Sequence, residues 1–120
     1  LPVSVSVKAS DILRGYWAQR LLWEIGGQLT VHPPSVYRLD TMSPPSYEDE
    51  KDMHKNVDRL MEFLVSWRSK KSGIFQKALH LSHSMAEAGF WSVQDVIYTA
   101  AWLQDLFSMG YTQPRVVART

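Results

Sequence analysis

The sequence predicts a mainly α-helical fold, in which a short strand-helix-strand segment with a loop (residues 1–48) precedes about three helices (residues 49–110) and a tail (residues 111–120). Two patterns support this prediction. Valine alternates with serine near the start, as in a strand, and apolar residues later recur every three or four positions, as in amphipathic helices. A length of 120 residues with 45% hydrophobic residues is enough for one core, so we expect a single unit.

The first predicted strand contains Val3, Val5 and Val7, which are separated by single serines. This period of two places the valines on one face of an extended chain. The second candidate strand is residues 29–31, Leu-Thr-Val. Two short strands form only a marginal sheet, so we expect further strands from outside this chain. The start at Leu1 rather than Met favours the same interpretation, a fragment of a larger α/β domain.

The first predicted helix lies between these two strands. Ser10 is a suitable N-cap, Asp11 would lie in the first turn, where a carboxylate stabilises the helix dipole, and Gly26 and Gly27 mark the end. The order of strand, helix and strand is that of a βαβ unit. Apolar residues cover most of this helix and favour burial between layers: Leu13, Tyr16, Trp17, Leu21, Trp23 and Ile25.

A loop bracketed by prolines is predicted for residues 32–48, and its length exceeds the usual connection of about 4 to 6 residues. An amphipathic helix then begins at Asp49 and continues to a Ser-Gly break at positions 72 and 73. The next helix is predicted for residues 74–88. The last follows a capping-box pattern and is predicted for residues 92–110.

Composition excludes several classes of function. The formal net charge of +1 provides no basic surface for nucleic acid, so we expect no nucleic-acid partner. The chain has no cysteine, which excludes disulfides and thiolate chemistry. It contains no apolar run of the roughly 20 residues that cross a bilayer. Neither a glycine-rich phosphate loop nor a G-x-S-x-G nucleophile motif is present.

The tryptophans and histidines allow a ligand-binding and a structural interpretation. His80 and His83 are three residues apart on a predicted helix, but a third ligand is not evident, so we predict no metal site. Tryptophan rings can stack on sugars or bases. Helical spacing favours the core for Trp67 and Trp102. For Trp17 and Trp91, the pattern leaves the core and a ligand surface equally open: both tryptophans lie beside helix boundaries or charged residues.

Asp11 is the candidate catalytic carboxylate. In the predicted topology it follows a strand, and ligands of open α/β sheets bind at the carboxyl ends of strands. Arg14 and Arg20 follow on the same helix. The alternative is that Asp11 only stabilises a helix N-terminus while the arginines face water, and the spacing alone favours this alternative.

The segment from Ala9 to Gly27 reads ASDILRGYWAQRLLWEIGG. It resembles the S-D-I-x-R-(G/S)-Y-x-A-Q-R-L-L-W-x-I-G segment of the STELLO-like family of Golgi glycosyltransferase-like proteins. Further similar words follow in the same order and cover nearly the whole chain: residues 32–38 (HPPSVYR), 50–54 (EKDMH), 63–68 (FLVSWR) and 102–106 (WLQDL).

The resemblance implies that this chain is the C-terminal portion of the lumenal domain of a type II Golgi membrane protein. That domain would be GT-A-like and would act on a nucleotide-sugar and a glycan acceptor. A more distant similarity to the reversibly glycosylated polypeptides makes Asp11 a general base or a sugar-hydroxyl clamp, although Ser10 and Leu13 depart from that pattern.

The resemblance also implies the substrate-binding residues. Arg14 would neutralise diphosphate, Trp17 would stack on sugar, and Arg20 and His32 complete the predicted set. The D-x-D motif that holds a divalent metal in GT-A enzymes does not occur in this sequence. We therefore expect no cofactor in this chain, and manganese would serve only the intact protein.

The sequence leaves two alternatives to a transferase portion open. The chain could be a non-catalytic interaction module that docks on a protein partner or on a second copy of itself through the helices of residues 49–110. It could also be a helical subunit of a larger assembly.

Overall fold

The computed structural model describes residues 2–37, 39 and 47–118, except for the side chains of residues 8 and 47–55. Helices dominate it and confirm the mainly α-helical prediction: α1 (Val7–Glu24), α2 (Tyr47–Ser66), α3 (Ile74–Glu87) and α4 (Val93–Ser108). Of the predicted loop, residues 38 and 40–46 lie outside the described part. No described helix is both long and apolar enough to cross a membrane.

The predicted strands are absent from the residues that the structure describes. The backbone amides of Val3 and Ser4 donate hydrogen bonds to the carboxylate of Asp95 on α4, at 2.6 Å and 3.3 Å. The Asp95 side chain therefore accepts the backbone hydrogen bonds that a neighbouring strand would otherwise accept. Residues 28–37 are not helical and form no sheet within the described chain. The strand-helix-strand prediction, and with it the βαβ unit, is therefore wrong.

Helix α1 begins earlier than its sequence suggests. Ser6 is the N-cap, and its Oγ accepts a hydrogen bond from the amide of Ala9 at 3.3 Å. Ser10 and Asp11 therefore lie inside the helix, so Ser10 is not the cap and Asp11 is not in the first turn. The predicted end of the helix is confirmed: Gly26 has a φ of 77°, a left-handed conformation that glycine adopts at low cost.

Helix α1 is central to the packing, because it contacts both α2 and α3, while α3 also contacts α4. The amphipathic patterns of α2 and α3 account for part of this arrangement, because both helices turn apolar side chains toward the core. Leu60, Leu81 and Met85 are at most 1% exposed. The buried apolar residues form one cluster: Ala9, Leu13, Leu21, Leu60, Leu64, Trp67, Ile74, Ala78, Leu81, Met85, Phe90, Trp91 and Leu103.

Candidate functional site

A cleft of about 200 Å³ lies between the N-terminal segment, α1, the turn after α3, and α4. Its walls are mainly apolar, with a few polar groups among the aromatic rings. We term it the tryptophan cleft, and it is lined by Pro2, Arg14, Trp17, Trp91, Asp95, Thr99 and Trp102.

Three of the five tryptophans line this cleft, each in a different environment. Trp91 is 8% exposed, and its indole nitrogen donates to the carbonyl of Ser82 at 2.8 Å, which fixes the ring. Trp102 is 45% exposed, so the prediction that it belongs to the core is wrong. Trp17 is partly buried, and its indole nitrogen is buried without a hydrogen-bond partner in the described part of the chain.

Asp95 and Thr99 form the polar part of the wall contributed by α4. Asp95 is 1% exposed, and its carboxylate accepts hydrogen bonds from the amide of Val3 and from the amide and hydroxyl of Ser4. The Thr99 hydroxyl donates to the carbonyl of Asp95 at 2.7 Å and accepts from the hydroxyl of Ser82 at 3.3 Å. These bonds engage both carboxylate oxygens of Asp95, which therefore helps to shape the cleft.

Asp11 and Arg14 form an ion pair on the exposed side of α1, with Arg14 Nη2 2.8 Å from Asp11 Oδ1. Their side chains are 71% and 56% exposed, so the pair contributes little to stability. Arg14 lines the tryptophan cleft, whereas Asp11 lines a shallow neighbouring depression with Tyr16 and Leu29. The pair therefore connects two adjacent depressions, and both partners are accessible to a ligand.

Arg20, which was predicted to bind substrate, is only 1% exposed. Its Nε and Nη2 atoms donate to the carbonyls of Leu64 and Trp67, each at 2.8 Å, and its Nη1 atom donates to Glu24 at 2.8 Å. It is not among the residues lining the tryptophan cleft. These contacts join α1 to the end of α2, and a substrate-binding role for Arg20 stays a prediction.

The described histidines form no metal-binding group, although His80 and His83 line a common groove. His32 is exposed in the non-helical segment after α1 and is not among the lining residues of the cleft, so its substrate role also stays a prediction. His80 Nδ1 lies 2.7 Å from Ser69 Oγ, and His83 lies 3.5 Å from Glu87. Among the side chains that the structure describes, no three histidine, aspartate or glutamate residues could hold a metal ion.

Three residues of the cleft, Asp95, Thr99 and Trp102, were not predicted as site residues from the sequence. Asp95 fitted a capping-box pattern and Trp102 fitted an apolar helix, so each had a structural explanation. Their positions are separated by four and three residues, which places all three on one face of α4. That spacing of an acid, a hydroxyl and an indole is the signal that could have identified them.

Comparison with known proteins supports the resemblance found in the sequence. The sequence model of a family described as STELLO glycosyltransferases matches residues 8–120. Two proteins of Arabidopsis thaliana, named probable glycosyltransferase STELLO1 and STELLO2, are 56% and 57% identical over 118 residues, which is 98% of this chain. The chain spans 15% of the length of each relative. No solved structure matches it. The chain therefore belongs to the family of STELLO glycosyltransferases.

Proposed function

We propose that this chain is the C-terminal portion of the lumenal domain of a nucleotide-sugar-dependent glycosyltransferase, and that the tryptophan cleft and the Asp11-Arg14 pair belong to its substrate site. The observation that carries this proposal is the convergence of three indole rings beside an accessible aspartate-arginine pair in a member of this family. Indole faces stack on the C–H faces of sugars, carboxylates remove protons, and guanidinium groups bind diphosphate.

The proposed transfer assigns a distinct step to each group. An acceptor hydroxyl attacks the anomeric carbon of the donor, its proton passes to a base, and the nucleotide diphosphate leaves with the bonding electron pair. Asp11 takes that proton in an inverting transfer, or holds a sugar hydroxyl otherwise. Arg14, now 2.8 Å from Asp11, exchanges this carboxylate for the departing diphosphate, because guanidinium binds phosphate through two parallel hydrogen bonds.

Metal binding is left to the rest of the protein in this proposal. The described side chains do not fit a divalent cation such as manganese, because no three suitable ligands converge. We therefore derive no step through a metal for this chain. A Golgi location, with the lumenal domain carried by a type II membrane anchor, completes the proposal, and the anchor would lie outside the described residues.

The test is an Asp11→Asn variant of the intact protein, assayed for transfer from UDP-sugars in the presence of manganese. Loss of a general base lowers the transfer rate by about 10²- to 10⁴-fold. The free energy of unfolding should stay unchanged, because Asp11 is exposed. Asp105→Asn, at an exposed carboxylate of α4, is the matched control and should keep the wild-type rate. A wild-type rate in the Asp11 variant would remove Asp11 from the mechanism.

A second candidate function is protein binding, which a groove between α3 and α4 favours. The groove has a volume of about 500 Å³, and Ile97 at its edge is 60% exposed. A protein partner or a second copy of the chain would cover its apolar wall. Unchanged transfer in both the Asp11 variant and variants of the tryptophan cleft would favour this function. The groove is lined by Lys71, Gln76, Leu79, His80, His83, Val96, Ile97 and Ala100.

A further inference from the structure

We infer that the tryptophan cleft binds one uncharged pyranose ring of the glycan acceptor, and not the nucleotide of the donor; this inference rests on the proposed function. It assigns a substrate class to the cleft from three of its properties: its volume, the pairing of its charges and the arrangement of its aromatic rings.

The volume of the cleft suits a single ring. Pockets that enclose drug-sized ligands have volumes of about 300 to 1,000 Å³. The tryptophan cleft, at about 200 Å³, falls below this range. One six-membered sugar ring suits this volume better than a nucleotide-sugar, whose base, ribose, diphosphate and hexose would extend out of the open cleft.

The charges of the cleft do not suit phosphate. Its carboxylate, on Asp95, is enclosed and accepts hydrogen bonds from Val3 and Ser4. Its cation, on Arg14, is about half exposed at the rim and already pairs with Asp11. An anionic ligand inside the cleft would lie near the buried carboxylate of Asp95, and Arg14, the cation of the lining, already pairs with Asp11, so a neutral ligand is favoured.

The aromatic walls and the polar groups suit a sugar. Indole rings from α1, from α4 and from the turn between α3 and α4 line the same space, and indole rings can stack on sugars. The buried indole N–H of Trp17 has no acceptor in the described chain, which destabilises the folded state. A sugar hydroxyl would be a suitable acceptor for this N–H.

The position of the cleft places an acceptor next to the proposed chemistry. Arg14 lines the cleft and bonds to Asp11 from the same side of α1. A ring held between the tryptophans would therefore direct its outer hydroxyls toward the Asp11-Arg14 pair, and the donor would approach from the side of Asp11.

The test is a titration of the ¹⁵N-labelled chain, followed through its five indole N–H signals. Trp17, Trp91 and Trp102 report on the cleft, and Trp23 and Trp67 are internal controls. The probes are the methyl glycosides of glucose, galactose, mannose and xylose, with uridine and UMP for comparison. We expect at least one glycoside to shift the three cleft signals with a Kd on the order of 1 mM, and to leave the other two in place.

Variants separate stacking from hydrogen bonding. Trp102→Ala should raise the Kd of the glycoside roughly tenfold, followed through the Trp17 and Trp91 signals, and it should fold because Trp102 is 45% exposed. Tyr98→Ala, at a residue of α4 that is 42% exposed and outside the cleft lining, is the matched control and should bind as the wild type does. Trp17→Phe keeps a stacking ring without the N–H and should weaken binding roughly 3- to 10-fold.

Two results would overturn the inference: no glycoside shifts the cleft signals at about 100 mM, or uridine shifts them at lower concentration than every glycoside. The first would count against the inference alone if Asp11→Asn still abolished transfer in the intact protein. Glycoside binding in the cleft, together with an Asp11 variant that transfers normally, would instead overturn the proposed catalytic role and leave the sugar site in place.

Discussion

At the scale of single residues, a buried cluster of charges joins three helices. Glu24 on α1 is 4% exposed and lies 2.8 Å from Arg20 and 3.1 Å from Lys77 of α3. Burial alone would raise the pKa of Glu24. Hydrogen bonds from Arg20 and Lys77, together with their positive charges, outweigh burial and hold this pKa below its ordinary value of 4.5. The ionised carboxylate is therefore the form that the fold requires.

The lowered pKa of Glu24 predicts a loss of stability in acid. Its contribution is fully present above pH 4.5, the unfolded value, and is lost as the pH falls through the lower folded pKa. Glu24→Gln should reduce the free energy of unfolding by about 3 to 5 kcal/mol at pH 7, because two buried cations lose their carboxylate. The same substitution should also make the free energy of unfolding less dependent on pH below pH 4.5.

Urea unfolding at several pH values between neutrality and pH 3 would measure both effects of this substitution. Glu87→Gln, at a side chain that is 70% exposed, is the matched control and should follow the wild-type curve. Parallel wild-type and Glu24→Gln curves in acid would show that Glu24 does not carry this pH dependence.

The sequence allowed the chemistry of single residues to be predicted better than their burial and contacts. Trp17 and Trp91 were open to a ligand-binding role because indole rings stack on sugars, and the structure brings both to one cleft with Arg14. Asp11 was selected partly because it follows a predicted strand, and that strand is absent from the described residues. Arg20 could not be separated from Arg14 by spacing. Its burial depends on the carbonyls at the end of α2, and these come close only in the folded chain.

At the scale of elements, hydrogen bonds hold the N-terminal segment to the start of α4, through the carboxylate of Asp95 and the amide of Ser92. Asp95 lies in the first turn of α4, where a carboxylate is also favourable for the helix dipole. Asp95 accepts hydrogen bonds from the backbone of Val3 and Ser4. The Ser10 hydroxyl of α1 donates to the carbonyl of Pro2 at 2.6 Å, and these bonds together keep Pro2 in the wall of the tryptophan cleft. The segment therefore closes one side of the cleft without forming a strand.

Asp95→Asn tests this tether. The asparagine side chain has one acceptor oxygen where the carboxylate has two, and its NH₂ group would face the N–H and O–H donors of the N-terminal segment. The free energy of unfolding should therefore fall by about 1 to 3 kcal/mol. Hydrogen exchange should quicken at the amides of Val3 and Ser4 and stay slow in the middle of α1. Asp105→Asn, on the exposed side of α4, should change neither. Unaltered protection at Val3 and Ser4 would contradict the tether.

The helices were more predictable than the segments between them. Residues 74–88 and 92–110 were predicted as helices, and α3 and α4 occupy residues 74–87 and 93–108, because apolar stripes and glycine stops act locally. The start of α1 was misassigned because the alternation of valine and serine in residues 3–7 matches a strand. The backbone of this segment can bond to a neighbouring strand or to a carboxylate such as Asp95. The choice depends on residues that are distant in sequence and come close only in the folded chain.

At the scale of the whole molecule, the cleft belongs to no single element. Its lining comes from the N-terminal segment, α1, the turn before α4, and α4, so its shape depends on how α3 holds α1 and α4 together. Arg14 and Asp95, which lie far apart in sequence, both line this cleft. Under the proposed function, such a site holds the acceptor ring, and residues outside this chain bind the donor.

The most direct test of acceptor binding in the tryptophan cleft is the transfer kinetics of the intact protein with the Trp102→Ala substitution. Loss of one stacking ring, worth about 1.4 kcal/mol, should raise the KM for the acceptor roughly tenfold and leave the KM for the donor within about twofold of its wild-type value. A raised donor KM with an unchanged acceptor KM, or no change in either, would contradict the assignment of the cleft to the acceptor sugar.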